Sequence, residues 1–339
     1  MEYLSNIIEA NDTVNSWEVK RADIRKRVLS IIGEPPVKKV PLDAEVVEEI
    51  DGNSYLRQKV VFSVESDERI SAYLLIPKGI TAPVPAILCP HGTTGAEGKD
   101  VSVGIAKRGR NQPYAHELSQ RGYITFVIDA IAMGERIPKG HNALDTTEFY
   151  KRHPGWSAHG KMVWDYGCAL DYLSSLKNVD SSRFGSIGHS FGSTLTLFLA
   201  ALDKRIVVSV ASCGIGSWEG NSRKLEWARD PAEHGFVFFP KLRPIFLADK
   251  SAPFEFHELI SLIAPRALLR LSAYSDEIVV RPDIIAESSY KTNQVYKLLG
   301  AEENFAQYFH GDGHNFLSST RALAYAWFDR HFQNSLKQA

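Results

Sequence analysis

The hydrophobic pattern changes character twice along the chain. In the first stretch Trp17, Ile24, Val28, Ile31 and Ile32 recur at helical spacing after Ser16, and Gly33 followed by Pro35-Pro36 ends the run. One apolar stripe of this kind predicts an amphipathic helix clasped onto a larger body. Three strand-like runs follow at 44–50, 56–64 and 70–76. In the second, Leu56, Val60, Phe62 and Val64 alternate with Arg57, Lys59, Val61 and Ser63, a mostly one-sided period of two that suits antiparallel pairing. Asp51-Gly52-Asn53 and Glu65-Ser66-Asp67-Glu68 supply the turns.

From Val84 the pattern becomes short apolar runs, at 84–89, 124–128, 184–187, 206–210, 267–271 and 305–309. Helical stretches fit between and after them at 114–120, 162–175, 193–202 and 319–332, which is the rhythm of a parallel sheet with crossovers. The predicted fold is therefore α/β: a mostly parallel central sheet with helices on both faces, antiparallel N-terminal strands and a cap insertion. Residues 1–40 read as a helical extension and 41–339 as the main domain. The segment 214–264 breaks the rhythm and is crowded with rings (Trp218, Trp227, Phe236, Phe238, Phe239, Phe246, Phe254, Phe256). Two readings stay open for it: a cap over a pocket, or an inserted core in which the rings only pack.

Composition narrows the function classes. Among 339 residues, 39 Lys plus Arg stand against 40 acidic residues, and no basic run suggests a nucleic-acid or membrane partner. A small-molecule substrate is expected. Cys89, Cys168 and Cys213 form no C-x-x-C pair or metal-type spacing and read as reduced, buried thiols. The first 30 residues carry charges throughout and lack a signal-peptide core, and no apolar run reaches membrane-spanning length, so a cytoplasmic location is expected.

The chemistry concentrates at Gly188-His189-Ser190-Phe191-Gly192, between a strand end and a helical stretch. A serine on so tight a turn needs small neighbours, and the helix that follows aims its N-terminal N–H groups at the same spot. Ser190 is the candidate nucleophile. Its hydroxyl needs a base held by a carboxylate, and later loops offer both: Ser275-Asp276-Glu277 after the run at 267–271, and His310-Gly311-Asp312-Gly313-His314 after the run at 305–309. Asp276 is preferred over Glu277 and Asp283, and His314 over His310. A metal reading of the His-x-Asp-x-His string finds no further ligands at the usual spacing, so no metal is expected. The oxyanion hole is assigned to the N–H groups of Phe191 and, from Pro90-His91-Gly92-Thr93-Thr94-Gly95, of Thr93, with Thr94 as second choice. His91, Thr94, Trp218 and Phe238 are candidate substrate contacts, although a loop brace is the stronger reading for His91.

Arranged in this way the chain resembles the α/β-hydrolase superfamily, and within it the dienelactone-hydrolase and acetyl-xylan-esterase-like branch, over about 56–332. The pieces that carry the resemblance are Pro90-His91-Gly92, Arg121-Gly122-Tyr123 leading into Asp129, Met133-Gly134-Glu135-Arg136, Trp164-Asp165, Val179-Asp180 before Arg183, and Ala264-Pro265-Arg266. The resemblance implies a Ser-His-Asp triad, a two-donor oxyanion hole and no cofactor. Phe191 departs from it, because a small or polar residue is commoner after the nucleophile. The expected activity is hydrolysis of small acyl esters, acetylated sugars among them. A prolyl-oligopeptidase-like peptidase or amidase is the alternative, although such enzymes carry a large gating domain for which some 80 N-terminal residues are too few. A ligand receptor on an idle hydrolase fold is the alternative from outside catalysis.

Overall fold

The computed structural model describes residues 3–107, 112–278 and 281–335. Among these, nine strands form one sheet: β1 (Glu45–Asp51), β2 (Tyr55–Glu65), β3 (Glu68–Pro77), β4 (Val84–Leu88), β5 (Ile124–Ile128), β6 (Val179–His189), β7 (Ile206–Ser212), β8 (Ala267–Ala273) and β9 (Phe305–His310). Their spatial order is β1-β2-β3-β5-β4-β6-β7-β8-β9. The pairs β1/β2, β2/β3 and β3/β5 are antiparallel, and every pair from β5 to β9 is parallel. Chain order reverses at β4, which has β5 on one side and β6 on the other. A crevice opens at the carboxyl ends of strands at such a switch point.

The alternation along the strands feeds two cores. Leu88 and Phe126 enter one face of the sheet, while Ile87 and Val127 enter the other. Against the first face pack α1 (Val14–Ile32), then, further along the chain, residues 158–174, 191–202 and 282–298; against the second pack 114–120 and 318–335. These remaining long helices are α2 (Tyr114–Gln120), α3 (Ala158–Ser174), α4 (Phe191–Leu202), α5 (Pro282–Leu298) and α6 (Ser318–Ser335). No helix among the described residues is long and apolar enough to cross a membrane.

Helix α1 starts two residues before Ser16, because Thr13 and Ser16 bond each other's backbone N–H reciprocally in a capping box. Its stripe of Trp17, Ile24, Val28, Ile31 and Ile32 is buried in the same core as the sheet. Strand β6 begins at Val179, earlier than the apolar run suggests, since Val84 of β4 already pairs with Val179 before the polar Asp180–Arg183 stretch. The segment 214–264 holds short helical turns at Lys224–Trp227, Pro240–Leu242, Arg243–Leu247 and Phe256–Ser261. Most of its rings join the first core: Trp218 packs against Phe239, Phe246, Phe254 and Phe256 at centroid distances of 5.0–6.2 Å.

Candidate active site

Ser190 caps the N-terminus of α4 at φ 57° and ψ −122°, a backbone region that residues with a side chain rarely occupy. The turn is this tight because its two glycines touch backbone. A β-carbon on Gly188 would lie 2.2 Å from the carbonyl of Gly192, and one on Gly192 would lie 2.1 Å from the carbonyl oxygen of Pro90. The nucleophile turn is thus wedged between its own helix and the loop after β4. The N–H of Ser190 donates to the Ser212 carbonyl at 2.8 Å, which fixes the turn to the end of β7.

Asp276 and His314 converge on Ser190 from the ends of β8 and β9. His314 Nε2 lies 2.8 Å from Ser190 Oγ, and His314 Nδ1 lies 2.8 Å from Asp276 Oδ2. The second carboxylate oxygen accepts the N–H of Ile278 at 2.9 Å. Asp276 is buried, whereas Glu277 is exposed and Asp283 pairs with Arg281 at 2.8 Å at the start of α5. The two loops are stitched together: Tyr274 N–H donates to the His310 carbonyl, Ser275 Oγ donates to the Gly311 carbonyl, and Gly313 N–H donates back to Ser275 Oγ. His189 supports the imidazole from below, its ring 4.9 Å from that of His314, stacked on Phe316 and within 3.0 Å of Ser212 Oγ.

Backbone N–H groups approach Ser190 from two elements. The first-turn N–H groups of Phe191 and Gly192 have no acceptor inside the helix. Across the crevice, a β-carbon on Gly92 would lie 3.7 Å from that of Ser190, so the backbone leading into exposed Thr93 runs beside the nucleophile. His91 holds that loop in place. Its Nε2 accepts the N–H of Ala130 at 3.0 Å, which leaves the proton on Nδ1 to donate to the Gly92 carbonyl at 2.7 Å. Burial lowers the pKa of this ring, against the pull of the Asp129 carboxylate, and favours the neutral tautomer this bonding needs.

The other candidate contacts pack into the loop after β4 and into the aromatic core. His91 is 2 % exposed and braces the loop, so it offers no surface to a substrate. Thr94 directs its hydroxyl to the Gly98 carbonyl at 3.3 Å in the same loop. Trp218, also 2 % exposed, is an aromatic core residue and borders a cavity of about 620 Å³ that none of Ser190, Asp276 or His314 lines. The ring of Phe191 turns away from the nucleophile into the core, against Phe236, Phe238 and His159. The His-x-Asp-x-His string does not converge on one point: His314 faces Ser190, while His310 Nε2 faces Cys213 Sγ at 3.9 Å. Cys213, just past the end of β7, joins the site although nothing in its spacing marks it as a site residue. Its one sequence signal is its place before Gly214 at a strand end, where it takes φ 51°.

Residues 5–285 match the model of the Abhydrolase family. The protein YtaP of Bacillus subtilis (strain 168) is 28% identical over 261 residues, which covers 76% of this chain and 82% of YtaP. Among solved structures, a glucuronoyl esterase from Solibacter usitatus superposes with a TM-score of 0.74 at 18% identity, covering 94% of each chain. An acetyl xylan esterase-like structure from Bacteroides fragilis NCTC 9343 superposes at 0.67 with 19% identity, covering 89% of this chain and 78% of that one. At such identities the likeness to the solved structures is one of fold.

Proposed function

Because the chain belongs to the Abhydrolase family, we propose that it is a serine carboxylic-ester hydrolase acting on small acyl esters, with esters of sugars as the substrate class. The observation that carries this reading is the unbroken line Asp276–His314–Ser190, two contacts of 2.8 Å ending on a serine held at a strained turn. Several fold neighbours act as carbohydrate esterases, which adds support for the sugar part of the substrate.

In this mechanism Ser190 Oγ attacks the ester carbonyl as His314 Nε2 takes its proton. Asp276 keeps the Nδ1 proton of His314 in place and stabilises the imidazolium. The N–H groups of Phe191 and Thr93 hold the oxyanion of the tetrahedral intermediate. Its collapse expels the alcohol, which takes the proton from His314. Water then attacks the acyl-serine by the same route, with His314 again as base, and the free acid leaves.

The test is a pre-steady-state burst with p-nitrophenyl acetate, followed by kcat/KM over p-nitrophenyl esters of two to twelve carbons, acetylated xylo-oligosaccharides and peptide p-nitroanilides. A burst of one chromophore per active site and the best kcat/KM on acetyl or propionyl esters are expected. Turnover of the anilides above the esters would move the protein to the peptidases. Saturable binding of the esters without turnover would make it a receptor.

A further inference from the structure

A buried thiol stands beside the Asp276 carboxylate. Behind the carboxylate, at the end of β7, lies the buried thiol of Cys213, whose sulfur, one Asp276 oxygen and one His314 nitrogen all fall within 4.8 Å of one another. His310 Nε2 lies 3.9 Å from the same sulfur. The Asp312 N–H points at His310 Nδ1 from 3.3 Å, nearer than the Asp312 carboxylate at 3.5 Å; with Nδ1 as its acceptor the ring proton sits on Nε2, facing the sulfur. A sulfur that accepts from His310 keeps its own proton for another partner, and the Asp276 carboxylate is close by.

We propose that Cys213, oriented by His310, is a positioning residue that donates its S–H to Asp276 and so completes a five-membered relay, His310–Cys213–Asp276–His314–Ser190. The inference rests on the esterase reading of the triad. Asp276 already receives the N–H of Ile278 on one oxygen and His314 on the other, and a third donor fixes the carboxylate's tilt. The state of the thiol agrees. Burial first, and the Asp276 carboxylate second, push its pKa up to about 12, so it stays a proton donor and is no competing nucleophile. The left-handed backbone at Cys213 is the local cost of turning that side chain toward β8.

The test compares Cys213→Ala, Cys213→Ser and Asp276→Asn, singly and with Cys213→Ala in the Asp276→Asn background, by kcat, KM and thermal melting. Cys213→Ala is expected to lower kcat about tenfold with KM within about twofold, as for loss of one hydrogen bond to a charged group. Cys213→Ser, which keeps a donor of the same reach, is expected to restore kcat to within about threefold of wild type. In the Asp276→Asn background the loss on Cys213→Ala should vanish, since the carboxylate it serves is gone. An unchanged kcat in Cys213→Ala, or a loss that persists undiminished beside Asp276→Asn, overturns the proposal. Should Cys213→Ala fail to fold, His310→Gln decides: a several-fold fall in kcat at constant KM supports the relay, and wild-type kcat overturns it. If Asp276→Asn alone keeps wild-type activity, the acid assignment fails, and that result is distinct from a failure at Cys213.

Discussion

A serine held at φ 57° stores backbone strain of about 1–3 kcal/mol, which persists only where the surroundings over-determine it. Here Gly188 and Gly192 lock against backbone, so the side chain of Ser190 can change while the turn stays. Ser190→Ala is therefore expected to lower kcat by about five to six orders of magnitude with little change in melting temperature, and His314→Ala to do nearly the same because the two act as one unit. A tenth of wild-type activity in Ser190→Ala would end the nucleophile assignment. For the acid, orientation matters more than proton transfer. Asp276→Asn should cost about 10⁴ in kcat by favouring the wrong imidazole tautomer. Exposed Glu277→Gln and Asp283→Asn, which lies in an ion pair with Arg281, should each cost little. A larger loss at either of these than at Asp276 would transfer the role.

Between elements, the contact of α3 with α4 turns on His159, a fully buried imidazole whose two nitrogens have no hydrogen-bond partner among the described residues. The rings of Phe191, Phe198, Phe238 and Phe239 surround it at 4.6–5.5 Å. Burial takes its pKa from 6.5 down to about 3. Because the folded value is depressed, the unfolded chain takes up this proton below pH 6.5 while the folded chain refuses it until about 3. The contribution is complete above pH 6.5 and is lost as pH falls from there toward 3, at about 1.4 kcal/mol per pH unit. His159→Leu should melt at least as high as wild type at pH 7.5 and lose less stability between pH 6.5 and 4.5, by about 2–3 kcal/mol, in parallel denaturant titrations. Equal pH slopes in the two proteins would remove His159 as the source. Phe238 and Phe239 of this cage were legible in the sequence as part of an aromatic cluster, but the histidine was not, since helical spacing alone cannot say that a polar residue faces rings across two helices. The order of Ser190, Asp276 and His314 was legible because each follows an apolar strand run, and strand ends are what the pattern marks best. Pairings across the sheet left no local trace. Glu68 meets Arg136 at 2.8 Å and Arg136 meets Asp165 at 2.9 Å from three separate segments, which joins two motifs that the sequence presents as unrelated.

At the scale of the whole molecule, the aromatic segment 214–264 raises the question of whether its rings shape the substrate site or hold the fold. The packing separates two of them. Trp218 is surrounded by Phe239, Phe246, Phe254 and Phe256, continuous with the core under the sheet, while Phe238 touches Phe191, the residue after the nucleophile, at 5.3 Å. Trp218→Ala should therefore destabilise the protein by about 3–5 kcal/mol, as for truncation of a large buried ring, and leave the preference among acyl chain lengths unchanged. Phe238→Ala should destabilise as well, yet it also removes the ring that backs Phe191, which loosens the turn beside the nucleophile, so octanoyl esters should gain on acetyl esters by about tenfold, the relief of an overpacking cost near 1.4 kcal/mol. Urea titrations measure the first effect, and the ratio of kcat/KM for p-nitrophenyl octanoate to that for the acetate measures the second. If Trp218→Ala moved the ratio as far as Phe238→Ala, the indole would belong to the substrate wall after all; if neither moved it, the segment would act only as core and chain-length selection would lie with the loops after β4 and β8.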